Sequence, residues 1–415
     1  MGKLGQKISA IAKNKEAKTV AQNFAWLSIL QVAGYAFPLI TMPYLAKVIG
    51  VEGFGKIAFA AAIMIWIQTI TDWGFNLIAT RDVAQNRDNH QKVSEIFSNV
   101  LWARCLLMVV SFIILLLLIA VIPKFREDWA IILVTFLMIP GHILFPEWFF
   151  QAIERMKYIT ILNVLMKLVF TIAVFIFIKR PEDYILQPLF TSLGFTTSGL
   201  IALYYIIGKW GIKLYKPQWR AIMQTIKGST DVFINHLMPN LYNSFSTMLL
   251  GLWGGGSAVG ILDGGNRFVN FGNQLQTSIN RAFYPFLSRK IEKHNNYIII
   301  NIGTSILMCL FLFFTAPLLV KYLLSTEFID SITVIRIRAI SMIFYAIASA
   351  YGANYLIIKH KEALLRKITM YCSLAGFAIA WPLVYYFSYI GAALTVTISL
   401  ALLACGSYIA ARRIK

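Results

Sequence analysis

The chain has 415 residues, 58% of them from the set AVILMFWYC and only 13% charged, with 38 Lys and Arg against 18 Asp and Glu. Soluble globular chains run nearer half apolar and a quarter charged, so this composition excludes a cytosolic enzyme and points to a membrane-embedded protein. The formal net charge of +20 would suit nucleic acid, but the placement of the charges assigns it to topology instead.

Residues 1–20 are basic and polar and lead directly into an apolar stretch. No short apolar run with a small-residue cleavage site is visible, so this segment is expected to be retained on the cytoplasmic side. Twelve predominantly apolar stretches of spanning length follow, centred near Gln31, Trp66, Val110, Met138, Val169, Thr197, Leu241, Phe271, Leu310, Ala346, Phe377 and Leu400. The expected fold is an all-α polytopic membrane protein with about 12 transmembrane helices, and the connections are too short for a folded soluble domain. Of the Lys and Arg residues, 25 fall in the termini and the connections on their side, and seven on the other side. The positive-inside rule then places both termini in the cytoplasm.

The longest connection carries Trp210, Pro217 and Trp219 among basic residues and reads as a surface-lying linker. The expected organisation is an N-terminal bundle of six helices at 21–208, a cytoplasmic linker at 209–228, a C-terminal bundle of six at 229–411 and a tail at 412–415. A shift of 205 residues brings Gly55-Lys56-Ile57 onto Gly260-Ile261-Leu262 and Gln68 onto Asn273, a weak parallel repeat of the kind found in secondary transporters. Cys105, Cys309, Cys372 and Cys405 lie within spans and are read as small packing residues, with neither a disulfide framework nor a metal spacing among them.

Six basic residues remain inside spans. Arg104, Arg281, Arg336 and Arg338 lie within roughly two turns of a span end and are expected to reach the interface. Lys167 and Arg267 lie nine or ten residues in, about 14 Å along a helix, and call for a water-filled cavity. On the eighth span Asp263, Arg267, Asn270, Gln274, Ser278 and Arg281 fall in one sector at 100° per residue, widened by Asn266, Asn273, Thr277 and Asn280. Such a face cannot meet lipid. Lining of a cavity is the preferred reading, and helix-to-helix hydrogen bonding is the alternative. Gln68, Asp72 and Asn76 follow one another at four-residue spacing on the second span, His236, Asn240, Asn243 and Thr247 share a side of the seventh, and Asn23, Gln31 and Tyr35 mark the first.

Asp263 lies one turn from Arg267 and can neutralise it. Asp72 has no basic partner on its own helix; titration during transport and a partner on another span are both open. His142 reads as a hydrogen-bonded packing residue, with a proton relay as the alternative. Pro38, Pro43, Pro140, Pro146 and Pro239 mark candidate breaks. No nucleophile set, phosphate loop or acidic metal cluster is present in the sequence, so neither an enzyme nor a cofactor is expected, and twelve spans with a lopsided polar lining suit a transporter better than a channel.

Four motifs carry a family resemblance. The runs from Pro43 to Gly55, from Trp73 to Ala84 (less Ile78), from Pro146 to Lys157 (Ala152 standing where Gly is usual) and from Ala282 to Arg289 resemble signatures of the O-antigen and polysaccharide flippases of the Wzx type, within the multidrug/oligosaccharidyl-lipid/polysaccharide exporter superfamily. The resemblance covers essentially the whole chain. It implies a MATE-like fold, two pseudo-symmetric six-helix bundles around a central cavity. It also implies an oligosaccharide repeat unit on undecaprenyl pyrophosphate as cargo, moved from the cytoplasmic to the periplasmic leaflet of the bacterial inner membrane by alternating access. On that reading Lys167, Arg267 and Arg281 offset the charge of the pyrophosphate, and Lys167 stands where relatives usually carry Arg. Asn23, Gln31, Gln68, Asn76, His236, Asn240, Asn243, Asn266, Asn270 and Gln274 line the path, and Asp72 and Asp263 are candidates for ion coupling. The implied partners are the lipid-linked oligosaccharide, the bilayer, and a polysaccharide polymerase and chain-length regulator; a monomer without nucleic acid is expected. A drug exporter of the same superfamily and a non-transporting scaffold of polysaccharide assembly are the alternative readings.

Overall fold

The computed structural model describes the backbone of residues 3–414 and the side chains of residues 22–414. Lys3, Lys7, Lys13, Lys15, Lys18 and Lys415, counted above toward the topology, have side chains outside the described residues. Among the described residues all regular structure is helical.

The first helix, α1 (Lys3–Val48), stays continuous through Pro38 and Pro43. Helix α2 (Gly50–Asp72) ends at Trp73 and Gly74, both with positive φ, and the chain continues as α3 (Phe75–Gln85) and α4 (His90–Val121). After a single turn, α5 (Pro123–Glu127), the fourth span is built from three pieces: α6 (Trp129–Phe136), α7 (Met138–Leu144) and α8 (Glu147–Ala152). Pro140 and Pro146 lack the amide hydrogen that a continuous ladder would need, and Pro146 sits at the break before α8. Helices α9 (Met156–Phe177) and α10 (Leu186–Leu203) complete the first half of the sequence.

The linker is not free. Its extended backbone is strapped to α4, where Ser94 Oγ accepts from Lys213 N at 3.1 Å, Ser98 Oγ accepts from Tyr215 N at 2.9 Å, and Trp102 Nε1 donates to the Tyr215 carbonyl at 2.9 Å. Helix α11 already begins within the expected linker (Trp219–Leu237), and Pro239 separates it from α12 (Ser244–Trp253). The long α13 (Gly255–Arg289) follows, then α14 (His294–Leu323), α15 (Ser331–Tyr351) and α16 (Glu362–Ile414). Helix α16 is two helices joined at Ser388, whose φ is 50°. A Cβ on Gly391 would lie 1.8 Å from the Leu383 carbonyl, so the chain turns back on itself there and only glycine fits.

Nine helical stretches among the described residues are long and apolar enough to cross a membrane. The difference from the twelve expected has a physical cause: the eleventh and twelfth run together in α16, the seventh is broken at Pro239, and α13 is too polar to register. Large apolar side chains such as Phe314 and Tyr386 are 71% and 75% exposed, the pattern of a protein whose outer face meets lipid. Helix contacts are made with small residues instead. A Cβ on Gly55 would lie 1.7 Å from the Gly256 carbonyl, and one on Gly260 would lie 2.0 Å from the Val51 carbonyl. The backbones of α2 and α13 therefore touch, as in membrane helix pairs with glycine at the crossing.

Candidate functional site: three cavities meeting at Arg267

The α2–α13 contact fixes the site. It carries Phe54 under the guanidinium of Arg267, 4.3 Å from Cζ to the ring centroid, a favourable cation–π geometry. Arg267 Nε also donates to Asp263 Oδ2 at 2.8 Å, one turn earlier on α13. Their side chains remain 34% and 27% exposed, because three cavities open around Arg267 and one of them reaches Asp263.

The first, about 460 Å³, lies between α1, α13 and α14. It is lined mainly by apolar groups, among them Tyr35, Pro38, Leu39, Phe271, Phe311 and Leu319, with Arg267, Asn270 and Gln274 as its polar edge. The second, about 310 Å³, is lined by Asn243, Ser246, Thr247, Asp263, Asn266, Arg267, Asn270 and Arg338, closed by small residues of α2. The third, about 190 Å³, lies behind α1 and brings Lys167 of α9 to Arg267, with Thr41, Gln187 and Thr191 nearby. Gly34 leaves room for the ammonium: a Cβ there would stand 3.5 Å from Lys167 Nζ. No carboxylate lies within 4.0 Å of Lys167 among the described residues. Glu147 acts on it at longer range, held by Asn163 Nδ2, which donates to Glu147 Oε1 at 3.0 Å one turn before Lys167.

The structure thus gathers Lys167, Asn243, Asp263, Asn266, Arg267, Asn270 and Gln274 around three cavities that share Arg267. It does not bring Arg281 to them. That side chain is exposed, fourteen residues beyond Arg267 on the same helix, about 21 Å away at 1.5 Å per residue. Gln31 bridges the halves, Nε2 donating to Ser278 Oγ at 2.9 Å. Asn23 holds the turn before α9 through the Glu154 carbonyl at 3.0 Å, and Asn240 donates to Thr69 Oγ1 at 2.8 Å. Asn76 and His236 are exposed and Gln68 is half-buried; none of the three lines a cavity named above. His142 packs on Phe195, ring centroids 3.9 Å apart.

The polar stripe on α13 divides between the two readings offered for it. Asp263, Asn266, Arg267, Asn270 and Gln274 line cavities. Farther along, Tyr297 donates to Asn280 Oδ1 at 2.7 Å and Thr277 pairs with the Tyr345 hydroxyl at 2.8 Å, while Gln276, outside the stripe, donates to Asn301 Oδ1 at 2.6 Å. That half is interhelical hydrogen bonding.

Two arginines depart from the expectation that they reach the interface. Arg104 is 4% exposed and pairs with Asp72, so Asp72 has its partner on another span. Arg338 is also 4% exposed; its Nε donates to Asn266 Oδ1 at 2.9 Å and its Nη1 to Ser341 Oγ at 3.3 Å. The run Ile335-Arg336-Ile337-Arg338 held the signal, because residues two apart on a helix point about 200° from each other. Arg336 faces out against Phe313, 5.1 Å from Cζ to the ring centroid, and Arg338 faces in. Glu147, within the run from Pro146 to Lys157, carries no separate signal in the sequence.

With this geometry in place, comparison with known proteins gives a consistent result. The family of polysaccharide biosynthesis proteins matches residues 20–291. The chain belongs to that family. Two of its relatives, from Escherichia coli strain K12 and Shigella dysenteriae, each bear the name "Putative O-antigen transporter". The first is 26% identical over 92% of this chain and 94% of its own length, the second 25% identical over 90% and 96%. The fold resembles that of solved transporters and flippases. An inward-facing multidrug-resistance MATE transporter superposes with a TM-score of 0.73 at 15% identity, covering 94% of this chain and 98% of its own. The lipid II flippase MurJ in an inward closed conformation gives 0.73 at 12% identity, over 94% and 87%.

Proposed function

We propose that this protein moves undecaprenyl-pyrophosphate-linked O-antigen or polysaccharide repeat units from the cytoplasmic to the periplasmic leaflet of the inner membrane by alternating access. The observation that carries the reading is the meeting of three unlike cavities at one guanidinium. A lipid-linked glycan has three unlike parts, and each has a counterpart here. The apolar cavity between α1 and α14 suits the start of a prenyl chain, the amide-lined cavity suits sugar hydroxyls, and Arg267 with Lys167 suits a pyrophosphate between them. Two relatives named for O-antigen transport support the same cargo.

On this reading the two six-span halves rock about the contacts of α1 and α2 with α12 and α13, and the cytoplasmic excess of Lys and Arg holds both termini inside. Asp263 is the candidate for ion coupling, since it competes with the cargo for Arg267; Asp72 is committed to Arg104. A monomer working beside a polymerase and chain-length regulator completes the proposal. The test is complementation of a strain lacking its own flippase. Lys167→Ala and Arg267→Ala should abolish surface polysaccharide at normal membrane levels of the protein, whereas unchanged polysaccharide in both would refute the assignment of the pyrophosphate.

A further inference from the structure

Of four basic side chains held within the helix bundle, Arg104, Lys167, Arg267 and Arg338, all but one have a carboxylate to answer them. Arg104 has Asp72, Arg267 has Asp263 at 2.8 Å, and Lys167 has the field of Glu147. Arg338 has none within 4.0 Å among the described residues. It is buried at 4% exposure, and its hydrogen bonds go to the neutral side chains of Asn266 and Ser341. A buried charge without a counter-charge is strongly unfavourable in a membrane interior, and such residues occur where a ligand or another charge answers them. Arg338 lines the second cavity, where Asp263 is already paired with Arg267 and the remaining polar groups are the amides of Asn243, Asn266 and Asn270 and the hydroxyls of Ser244, Ser246 and Thr247. That lining is suited to a sugar, and about 310 Å³ accommodates a small ligand.

The pyrophosphate does not account for this guanidinium. Lys167 and Arg338 line different cavities, and Arg267 is the one residue the two share. An anion held between Lys167 and Arg267 leaves Arg338 unanswered. We infer that Arg338 recognises a carboxylate-bearing sugar in the second cavity, so that the glycan carried by this protein is acidic. The inference rests on the transport reading above and specifies its substrate class. A guanidinium offers a planar fork that matches a carboxylate, while the asparagine side chains read the ring hydroxyls.

The test is thermal unfolding of the full-length protein in lipid nanodiscs with D-glucuronate, D-glucose or inorganic pyrophosphate. Glucuronate at roughly ten times its Kd should raise Tm of the native protein by about 2 °C, and glucose should leave it unchanged. Arg338→Gln should lose the glucuronate shift and keep the pyrophosphate shift. Because a change at a buried arginine can impair folding, Arg338→Lys and Asn270→Leu serve beside it, the first retaining part of the glucuronate shift and the second losing most of it. No glucuronate shift in the native protein, or an equal shift in Arg338→Gln, overturns the inference. So does loss of the pyrophosphate shift in a folded Arg338→Gln, which would assign Arg338 to the pyrophosphate. Failure of the transport reading shows separately, as no pyrophosphate shift in the native protein, and the glucuronate arm still decides the role of Arg338.

Discussion

Arg104 of α4 donates to the carboxylate of Asp72, the last residue of α2, and the pair is sealed from solvent on the arginine side. Breaking such a pair leaves one charge buried and unanswered, at about 3–5 kcal/mol. Arg104→Ala and Asp72→Ala should each lower stability by that order, and the double replacement Asp72→Leu with Arg104→Leu should recover much of it. Unfolding measurements on the three variants decide the matter. An Asp72→Asn protein of native stability that has lost transport would instead make Asp72 a coupling group.

The glycine crossing of α2 and α13 gives a second expectation. A methyl group at Gly260 would meet the Val51 carbonyl at 2.0 Å, and a backbone atom cannot move aside as a side-chain tip can. Gly260→Ala should cost about 1–3 kcal/mol and disturb the seat of Arg267 with it. Gly303 on α14 has nothing within 4 Å of the same position, so Gly303→Ala should be neutral or stabilising by about 0.5–1 kcal/mol. The contrast in Tm between the two tests the crossing rather than glycine content.

Glu147 supplies a third. Its carboxylate, fixed by Asn163, acts on Lys167, and an arriving pyrophosphate has to compete with it. Glu147→Gln keeps the shape and removes the charge. Inorganic pyrophosphate should then bind about five-fold more tightly, near 1 kcal/mol, while turnover falls because release is no longer assisted. Calorimetric titration of the native and variant proteins checks the direction; unchanged or weaker binding would remove Glu147 from the account.

Much of this was legible in the sequence, for identifiable reasons. Spanning helices announce themselves by length and apolarity, and the polar face of α13 stood out because ten hydrophilic side chains cannot face lipid. Pro239 and Pro146 marked real breaks, and the turn at Ser388 falls between the spans centred near Phe377 and Leu400 although no proline marks it. Whether a polar face meets water or another helix depends on what packs against it: Asn280 and Asn270 belong to the same stripe, but Asn280 has Tyr297 opposite. Depth counted from the ends of a span misled for Arg104 and Arg338, because a side chain close to an end can still point inward. Arg281 shows the converse: it shares a helical sector with Arg267 but lies too far along the axis to share its cavity.

The central claim is that the space around Arg267 is hydrated and receives an anion. Single cysteines at Asn266, Asn270, Gln274, Val269 and Gln276, in a protein lacking Cys105, Cys309, Cys372 and Cys405, test it by reaction with a small water-soluble thiol reagent in native membranes. Cysteines at 266, 270 and 274 should react readily and be protected by inorganic pyrophosphate, and those at 269 and 276, which are buried against neighbouring helices, should not react. Uniform protection of all five, or labelling at 270 and 274 indifferent to pyrophosphate, would contradict the account.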